Sequence, residues 1–403
     1  MHTESCGAYY QGQYVHLSLT AEELQIATSP PEPVERWPLD GLFAVHRSAS
    51  DATLLFFVSD RVQRLDFSQC DGDDALFTAI AGTLPPKPPR FHVLLNPVAG
   101  GGNGKRVWEE TVEPMLKMAR VAYTFAETTR QALSSFSPDP EDALIVMSGD
   151  TTLHDILNAL LPSRVHRIGI IPTGTGNALA LSLDLTTVAS ACARILRGRT
   201  RPLLAMHAEC PGRWSTWAFM VVSFGFHCQV VWLGDRLRWL FGRKSYLVAG
   251  RIQFLLYRRY VGDLSLAGVR QLAKAPSGAG DMVFGEEEEE QVAVPNGKFV
   301  YFVATKQHSL ERGFCITPLA SPSDMWMDVL AVDAPRKTMG AAFVKVSQGQ
   351  HVAMLSESYY KARRMEVRMK RKTRVCLDGK FGKVPAGEVL RVEVKDPGIR
   401  VFC

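Results

Sequence analysis

The amino-acid sequence predicts two principal domains, an α/β domain followed by a β-rich, sandwich-like domain. Short apolar runs alternate with helical stretches between residues 91 and 171, which is the pattern of buried parallel strands joined by helices. After about residue 200 the helical pattern thins out and strand-like runs follow one another. A chain of 403 residues, of which 46% are hydrophobic, is long enough to bury the cores of two such domains.

A smaller β-rich module, predicted over residues 1–84, precedes these domains. It contains strand-like runs at residues 42–45 and 53–58, followed by an alternating run at residues 61–67. Four prolines lie within residues 85–90, where their fixed φ angles exclude a helix or a central strand. We therefore expect a Pro-rich linker over residues 85–90.

The strands of the two principal domains follow from their apolar runs. The α/β domain, residues 91–202, has predicted helices from about residues 105 and 152, and predicted strands at residues 91–95, 143–147 and 168–171. The most apolar stretch of the chain, residues 217–234, is at the short limit for a bilayer span and is interrupted by polar residues, so we expect buried strands there. The β-rich domain, residues 203–403, has strand-like runs at residues 203–209, 217–224, 298–304, 328–332, 374–377 and 390–394.

The overall charge and the cysteine spacing argue against several classes of protein. A formal net charge of +5 is too small to indicate a nucleic-acid partner. The eight cysteines are widely spread without a C-x-x-C pair, and no histidine cluster has the spacing of zinc ligands. Residues 1–14 lack a basic segment followed by an apolar one, so no secretory signal is expected. We expect a cytoplasmic protein, and no pattern indicates its oligomeric state.

A glycine-rich turn follows the first strand of the α/β domain. The segment N-P-V-A-G-G-G-N-G-K, which begins at Asn96, joins that strand to a helix, where backbone N–H groups and the helix dipole suit a phosphate. It is not a Walker A loop, because Ala99 stands where the first glycine belongs and Arg106 where Ser or Thr should be. A flexible surface turn is the alternative interpretation of this segment alone.

Two further turns repeat the arrangement. S-G-D-T-T-L-H-D, from Ser148, follows a buried strand and precedes a helix, which places Asp150 at the carboxyl end of the strand, where α/β sheets bind ligands. An N-cap of that helix is the alternative role for Asp150. In P-T-G-T-G-N-A-L, the glycines Gly174 and Gly176 allow a ligand to approach the backbone closely. Three such turns in one α/β segment argue for a nucleotide site.

In this order and spacing, the three motifs resemble the kinases that phosphorylate sphingosine and other long-chain bases, within the diacylglycerol kinase catalytic-domain family. The resemblance is strongest over residues 91–183 and does not extend to residues 1–89. It implies a nucleotide-binding α/β domain of the NAD kinase and diacylglycerol kinase type, followed by a lipid-binding domain. The implied activity is ATP-dependent phosphorylation of a lipid hydroxyl, with ATP and Mg²⁺ as cofactors and a sphingoid long-chain base as substrate. Diacylglycerol or ceramide is the alternative substrate.

The resemblance also implies roles for individual residues. Asp150 would be the base that takes the proton of the lipid hydroxyl, and Ser148 and Gln229 would meet the lipid with it. Arg238 and Lys244 would contact the nucleotide, with Arg243 as an alternative to Lys244. No metal ligand is identified. The full set expected at the nucleotide comprises Asn96, Pro97, Gly100, Gly102, Gly104, Ser148, Gly149, Thr151, Asp155, Gly174, Thr175, Gly176, Arg238, Lys244, Asp378 and Gly379.

Three residues depart from the family pattern. Thr151 replaces the second glycine of G-D-G, Lys380 replaces the glutamate of D-G-E, and Gln229 stands where sphingosine and ceramide kinases commonly have an aspartate. Gln229 cannot balance the charge of a lipid amine. A catalytically decayed, lipid-binding member of the family is therefore the alternative to an active enzyme.

The segment over residues 232–260 mixes arginines with aromatic and aliphatic residues. This combination suits the surface of an anionic membrane, so we expect a lipid substrate and peripheral membrane association. A core-facing helix with a solvated basic face is the alternative. Phosphorylation of NAD or a sugar would instead require a polar pocket, which the apolar and aromatic residues of the second domain do not favour.

Overall fold

A seven-stranded antiparallel sheet forms the N-terminal module. The computed structural model describes residues 5–28, 35–70, 75–128, 139–160, 166–274, 282–288, 292–294 and 297–403. The strands of the module are β1 (Ser5–Tyr10), β2 (Gln13–Leu19), β3 (Glu23–Ala27), β4 (Glu35–Pro38), β5 (Leu42–Arg47), β6 (Ala52–Val58) and β7 (Arg61–Ser68). They lie in the order β4-β3-β2-β1-β7-β6-β5. Helix α1 (Ala75–Gly82) buries Leu76, Phe77 and Ile80 in the core of the module.

The α/β domain is built on a mostly parallel sheet. Its strands are β8 (Phe91–Leu95), β9 (Tyr123–Glu127), β10 (Ala143–Ser148), β11 (Arg167–Pro172) and β12 (Thr200–Pro202), joined by the C-terminal strand β26 (Arg400–Phe402). The order is β12-β26-β11-β10-β8-β9, and only β12 is antiparallel to its neighbour. Every residue of β10 is buried, as expected for a central strand covered on both faces.

Helices cover this sheet. The chain after β8 forms α2 (Gly104–Val107), a π-helical turn (Trp108–Val112) and α3 (Glu113–Met118). Helix α4 (Asp150–Leu160) follows β10, α5 (Ala178–Ser182) follows β11, and α6 (Val188–Arg197) leads to β12. The predicted strands at residues 91–95, 143–147 and 168–171 and the helices from about residues 105 and 152 are confirmed.

The second domain is a curled antiparallel sheet. The long strands β16 (Tyr260–Lys274) and β22 (Tyr359–Met369) pair with each other, and β22 also pairs with two neighbours in the main path of the sheet. The other strands are β13 (Ala205–Cys210), β14 (Trp214–Ala218), β15 (Val221–Gly225), β17 (Met282–Phe284), β18 (Val292–Ala293), β19 (Lys298–Phe299), β20 (Tyr301–Thr305), β21 (Met327–Val332), β23 (Thr373–Leu377), β24 (Lys380–Val384) and β25 (Val389–Lys395). The main path is β14-β13-β25-β22-β21-β20-β15-β23-β24.

Three helices pack against this domain: α7 (Phe226–Phe241), α8 (Ser245–Leu256) and α9 (Arg336–Lys345). Short 3-10 turns occur at Leu39–Gly41, Ala99–Gly101, Gly242–Lys244, Val346–Gln348, Gln350–Met354 and Ser356–Ser358. No helix in the described ranges combines the length and the apolar character needed to cross a membrane.

The structure corrects the prediction of buried strands over residues 217–234. Strand β14 ends at Ala218, β15 ends at Gly225, and the chain then turns into helix α7. Gly225 makes the turn with a positive φ of 71°, where a side chain would be strained. Helix α7 packs so closely on α8 that a Cβ atom at Gly234 would overlap the ring of Tyr246. The strand prediction for residues 226–234 is therefore wrong.

The last strand crosses back to the first domain. Strand β26 lies parallel to β11, with Arg400 opposite Arg167, and buries Val401 and Phe402 in the core of the α/β domain. The sequence placed all of residues 203–403 in the second domain. A three-residue strand carries no periodicity, so this return could not be predicted from the pattern.

Candidate functional site

The three predicted turns meet at the carboxyl edge of the parallel sheet. Strands β8, β10 and β11 are adjacent, and the turns that follow them are joined by backbone hydrogen bonds. Asn96 N–H donates to the carbonyl of Met147 at 3.0 Å, and Thr173 N–H donates to the carbonyl of Ser148 at 3.3 Å. The site predicted from three separate motifs is therefore one continuous surface.

Several glycines of these turns are required for contact between turns. A Cβ atom at Gly174 would overlap the Cα of Gly149, and one at Gly100 would overlap the carbonyl of Thr173. A Cβ at Gly149 would lie 2.9 Å from the carbonyl oxygen of Gly176. We predicted that the small size of the glycines admits a ligand. In the structure it allows the backbones of the three turns to contact one another.

Other glycines leave space for a ligand. Gly102 is exposed, has a φ of 86° and would place a Cβ no closer than 4.0 Å to any neighbour. Gly104 is buried, and a Cβ atom there would lie 2.7 Å from Cδ1 of Leu95, so the absence of a side chain lets the start of α2 pack onto the sheet. Pro97 is half-buried within the same turn. The exposed rim around Gly102 is therefore the open face of the first turn.

Asn96 ties the first turn to helix α4. Its Nδ2 donates to Thr152 Oγ1 at 2.7 Å, while its Oδ1 accepts from Val98 N–H at 3.1 Å. Both ends of the amide are thus engaged, which fixes the turn relative to the helix that begins at Asp150. Sequence analysis named Asn96 but not its partner Thr152.

Asp150 is the first residue of α4 and lies among the three turns. Its Oδ2 accepts a hydrogen bond of 2.8 Å from the backbone N–H of Ala178, the first residue of α5. The carboxylate therefore caps helix α5 and not α4, the helix that Asp150 begins. The alternative role predicted for Asp150 was an N-cap of α4. Burial, and to a lesser extent the negative charge of Asp378, raise the pKa of Asp150 to about 7, against hydrogen bonds from Ala178 and Leu179 that lower it. A carboxyl group with this pKa suits proton transfer near neutral pH.

Asp378 joins the two domains. Its two carboxylate oxygens accept from the backbone N–H groups of Phe219, Met220 and Val221 at 2.7–2.9 Å. Oδ2 also accepts from Nδ1 of His154, on α4, at 3.0 Å. With a side chain that is 0% exposed, Asp378 has no oxygen turned toward solvent. The expectation that Asp378 contacts ATP is corrected to a buried anchor beneath the site.

Ser148 is also less open than expected. It is buried, and its hydroxyl donates to the carbonyl of the adjacent Gly149 at 3.1 Å. Its backbone carbonyl already accepts from Thr173. Direct contact of Ser148 with nucleotide or lipid, expected from the resemblance, finds no support in this geometry.

Arg238 reaches the third turn from the second domain. Its Nη2 donates to Oγ1 of Thr175 at 3.2 Å, and its guanidinium lies 5.9 Å from the centre of the Tyr246 ring. Lys244 is exposed at the start of α8. Helix α7 therefore brings a cation to the third turn, and contact of Arg238 with a nucleotide stays a prediction.

The three residues that depart from the family pattern lie in two regions, and Thr151 and Lys380 share one of them. Gly379, with a φ of 87°, lies against Thr151, and a Cβ there would be 2.9 Å from Thr151 Oγ1. One residue on, Lys380 Nζ lies 2.7 Å from Asp155 Oδ2, on the exposed face of α4. The residues that replace glycine and glutamate are thus neighbours at the junction of α4 and β24.

Gln229 is engaged with a cation. Its Oε1 accepts from Nη1 of Arg374 at 3.2 Å, and the guanidinium of Arg374 lies 4.0 Å from the centre of the Trp232 ring. Sequence analysis did not identify Arg374 in this role. Only the three-dimensional pairing of α7 with β23 reveals it, because the two residues are 145 positions apart.

A small apolar cavity lies beneath α9. It is about 10 Å³ in volume, the space of about one water molecule. Two buried polar atoms on its lining residues, Tyr301 Oη and His351 Nδ1, have no hydrogen-bond partner among the described residues. The other residues around it are Ile316, Leu330, Met339, Ala342, Phe343, Val346 and Leu355.

The described residues do not form a resident metal site. Within these ranges no group of three or more His, Cys, Asp or Glu side chains is placed to hold an ion. Asp155, the exposed acid nearest to the turns in sequence, is paired with Lys380. The described residues therefore supply no ligand set for the expected Mg²⁺.

Two family models match the chain, and the first covers the three turns. Residues 90–208 match the model described as the diacylglycerol kinase catalytic domain. The chain therefore contains a diacylglycerol kinase catalytic domain. Residues 220–402 match the model described as the YegS C-terminal NAD kinase beta sandwich-like domain. The predicted succession of an α/β domain and a β-rich, sandwich-like domain is confirmed.

Curated proteins similar to this chain carry the names of sphingolipid kinases. Sphingosine kinase 1 of Arabidopsis thaliana is 24% identical over 312 residues, which are 69% of this chain and 64% of the plant protein. Sphingosine kinase 1 of Homo sapiens is 26% identical over 306 residues, 66% of this chain and 78% of the human protein. Ceramide kinase of Mus musculus is 24% identical over 48% of this chain and 41% of the mouse protein. The chain thus spans less than two thirds of the plant and mouse proteins.

A solved structure shares the fold of this chain. A putative diacylglycerol kinase from Bacillus anthracis str. Sterne superposes with a TM-score of 0.54 at 15% identity, over 79% of this chain and 98% of that chain. At this identity the likeness establishes the two-domain fold. The roles of individual residues rest on the geometry described above.

Proposed function

We propose that this protein transfers the terminal phosphoryl group of ATP to a lipid hydroxyl, with Asp150 as the general base. The observation that carries the proposal is the position of Asp150, which lies where the three turns meet and has a pKa near 7. Phosphoryl transfer needs positioning, charge stabilisation and a carboxylate that orients the nucleophile. The site supplies a candidate for each of these.

The nucleotide is proposed to lie along the turns on the side of Gly102. Backbone N–H groups at the start of α2 suit its phosphates, and Lys105 and Arg106 are exposed in the first turn of that helix. Arg238 adds a cation beside Thr175. These positive groups would stabilise the charge that develops on the transferred phosphoryl group.

The proposed reaction is a single displacement. The lipid hydroxyl gives its proton to the carboxylate of Asp150 while its oxygen forms a bond to the terminal phosphorus of ATP. The bond from that phosphorus to the bridging oxygen breaks, and ADP leaves with the electron pair. Because Ala178 N–H already holds Oδ2 of Asp150, the carboxylate is oriented before the lipid arrives.

The lipid chain is proposed to enter the second domain. Strand β15 begins at Val221, whose N–H bonds Asp378 beneath the site, and leads to Phe226 at the apolar core under α9. Five residues of strand span about 16 Å, which is comparable with a long alkyl chain. The cavity there is closed to a lipid at its present size, so α9 would have to move. An apolar route of this kind supports a lipid over NAD or a sugar.

The names of the relatives favour a sphingoid long-chain base as substrate. One observation favours a neutral lipid, diacylglycerol or ceramide, as the second candidate. Gln229 is bonded to Arg374, which places a cation where an ammonium group would be repelled. The two candidates differ in the charge of the head group next to the reacting hydroxyl.

A decayed enzyme is less well supported than an active one. Lys380 is paired with Asp155 on the exposed face of α4, and the described hydrogen bonds of Asp150 do not involve either residue. The side chain of Thr151 is exposed, and its hydroxyl lies beside Gly379, where no side chain competes for the space. Both replacements are therefore accommodated without displacing Asp150.

We further propose that helices α7 and α8 contact an anionic membrane. Trp239 is 83% exposed and Leu255 is 72% exposed, and both are large apolar side chains on these helices. Exposed arginines Arg251 and Arg258 lie near Leu255 in the chain. The core-facing alternative predicted buried apolar residues here, whereas apolar and basic groups are exposed together, as in membrane-surface helices.

Transfer of radiolabelled phosphate from ATP to a panel of lipids tests the proposal. We expect incorporation into a lipid with a free hydroxyl and none into NAD or sugars. The ratio of kcat/KM for sphingosine to that for diacylglycerol, measured in parallel with Gln229→Asp, distinguishes the two substrate candidates. If no lipid is labelled while ATP still binds, the protein is the decayed family member.

A further inference from the structure

A second cleft lies away from the three turns, between the N-terminal module and the α/β domain. It has a volume of about 400 Å³. Strand β5 and helix α1 form one wall, the Pro-rich linker forms the floor, and the end of α3 forms the other wall. The residues that line it are Val45, His46, Ala81, Leu84, Pro85, Pro86, Lys87, Ala119 and Arg120.

The ionisable side chains that line this cleft are all basic. Lys87 from the linker, Arg120 from the end of α3 and His46 from β5 line it, and none of the described lining residues is acidic. Lys87 has no ion pair or side-chain hydrogen bond among the described residues. His46 Nε2 lies 2.7 Å from the carbonyl oxygen of Met118 and donates a hydrogen bond to it. This bond does not use Nδ1, the other ring nitrogen.

The cost of this arrangement indicates a missing partner. Burial lowers the pKa of Lys87 to about 8. Burial also lowers the pKa of His46, and the nearby charges of Arg120, Lys87 and Arg64 lower it further. Arg64 is itself paired with Asp66, which leaves Lys87 and Arg120 as cations without an acidic partner in the cleft. An anion beside Lys87 would compensate for its burial, and the exposed Arg120 could contact the same anion.

We infer that this cleft binds a phosphate group carried by a small amphipathic molecule, with Lys87 and Arg120 as its ligands. Lysine and arginine are the side chains that proteins use most for phosphate. The apolar side chains of Val45, Leu84 and Ala119 line the same space, and they suit a molecule with an apolar portion better than inorganic phosphate. The phosphate can belong to a lipid headgroup in a bilayer or to a free organic phosphate.

The occupant would join the N-terminal module to the α/β domain. Val45 belongs to the module and Arg120 to the α/β domain, and both line the cleft, so one occupant would contact both. This gives the N-terminal module a role that is independent of the proposed phosphoryl transfer, since no lining residue belongs to the three turns.

Two probes test the inference on the full chain. Calorimetry measures the binding of dihexanoyl phosphatidate as a soluble ester, and sedimentation measures binding to phosphatidylcholine vesicles with and without phosphatidate. The test variant is Lys87→Gln with Arg120→Gln. The control is Arg371→Gln with Lys372→Gln, which removes the same two kinds of charge from exposed positions of the turn after β22.

We expect the test variant to bind at least one phosphate probe about tenfold more weakly than the parent, with the control within twofold. A loss confined to vesicles identifies a lipid headgroup as the source, and a loss confined to the ester identifies a free phosphate. Equal binding by the test variant and the parent with both probes overturns the inference. So does the absence of binding to either probe by the parent.

Discussion

Nδ1 of His154 donates a hydrogen bond of 3.0 Å to Oδ2 of Asp378. His154 lies on α4, the helix that begins at Asp150, and Asp378 follows β23 of the second domain. The two side chains are 7% and 0% exposed. The bond thus fixes the helix of the proposed base to the second domain in a place that solvent does not reach.

We expect Asp378→Asn to lower the free energy of unfolding by about 2 kcal/mol or more, because an amide group would oppose backbone N–H donors that now face a carboxylate. Urea denaturation followed by near-UV circular dichroism measures the loss. Asp396→Asn is the control, since the exposed Asp396 accepts from Gly398 N–H and an amide oxygen can do the same. A similar stability for both variants would remove Asp378 as an anchor.

The sequence predicted the frame of this site and not its internal contacts. The predicted strands at residues 91–95, 143–147 and 168–171 are largely apolar because parallel strands are buried on both faces, so the turns that follow them could be aligned from the sequence. The bond between His154 and Asp378 joins positions 224 residues apart, and no local pattern reports such a pairing. For the same reason Arg374 was missed as the partner of Gln229.

The glycines of the three turns show the same limit of prediction from the sequence. Their spacing predicted close approach, but it could not distinguish approach to a ligand from approach to another turn. Gly100, Gly149 and Gly174 allow the turns to contact one another, whereas Gly102 remains open.

This distinction predicts the effect of Gly174→Ala. The new Cβ would overlap the Cα of Gly149, and backbone cannot move aside as a flexible side chain can, so we expect a loss of about 3 kcal/mol in stability. Gly82→Ala, where nothing lies within 4 Å, should change stability by no more than about 1 kcal/mol. Thermal unfolding compares them. A Gly174→Ala protein as stable as the parent would show that the turns are not in contact.

We expect Arg238→Gln to weaken ATP binding about tenfold, because a neutral amide replaces the cation beside Thr175. Arg251→Gln, an exposed position on α8, is the matched control and should bind ATP as the parent does. Calorimetry with ATP gives both affinities. Equal affinities for the two variants would move the nucleotide away from the third turn.

Trp239→Ala combined with Leu255→Ala should weaken binding to anionic vesicles about tenfold, since both large apolar side chains would be removed from the membrane surface. ATP affinity should stay unchanged. Met325→Ala, which truncates an apolar residue 45% exposed outside this helical pair, serves as the control in vesicle sedimentation. Unaltered vesicle binding by the double variant would show that α7 and α8 do not meet the bilayer.

Asp378 also has an electrostatic effect on the proposed base. Its negative charge raises the pKa of Asp150, so its removal should lower that pKa. A general base acts in its ionised form, so the reaction rate should rise with pH through the pKa of Asp150 and level off above it. In Asp378→Asn the rise should therefore occur at lower pH than in the parent.

The pH dependence of single-turnover phosphoryl transfer at saturating ATP, compared between the parent and Asp150→Asn, tests the central claim most directly. Asparagine can still accept the hydrogen bond from Ala178, so the fold should be kept. We predict a rise with an inflection near pH 7 in the parent, set by the pKa of Asp150. In the variant we predict a rate lower by about 10²-fold or more, without that inflection. A near-normal rate in Asp150→Asn, or the same inflection in both proteins, would contradict the role of Asp150 as the base.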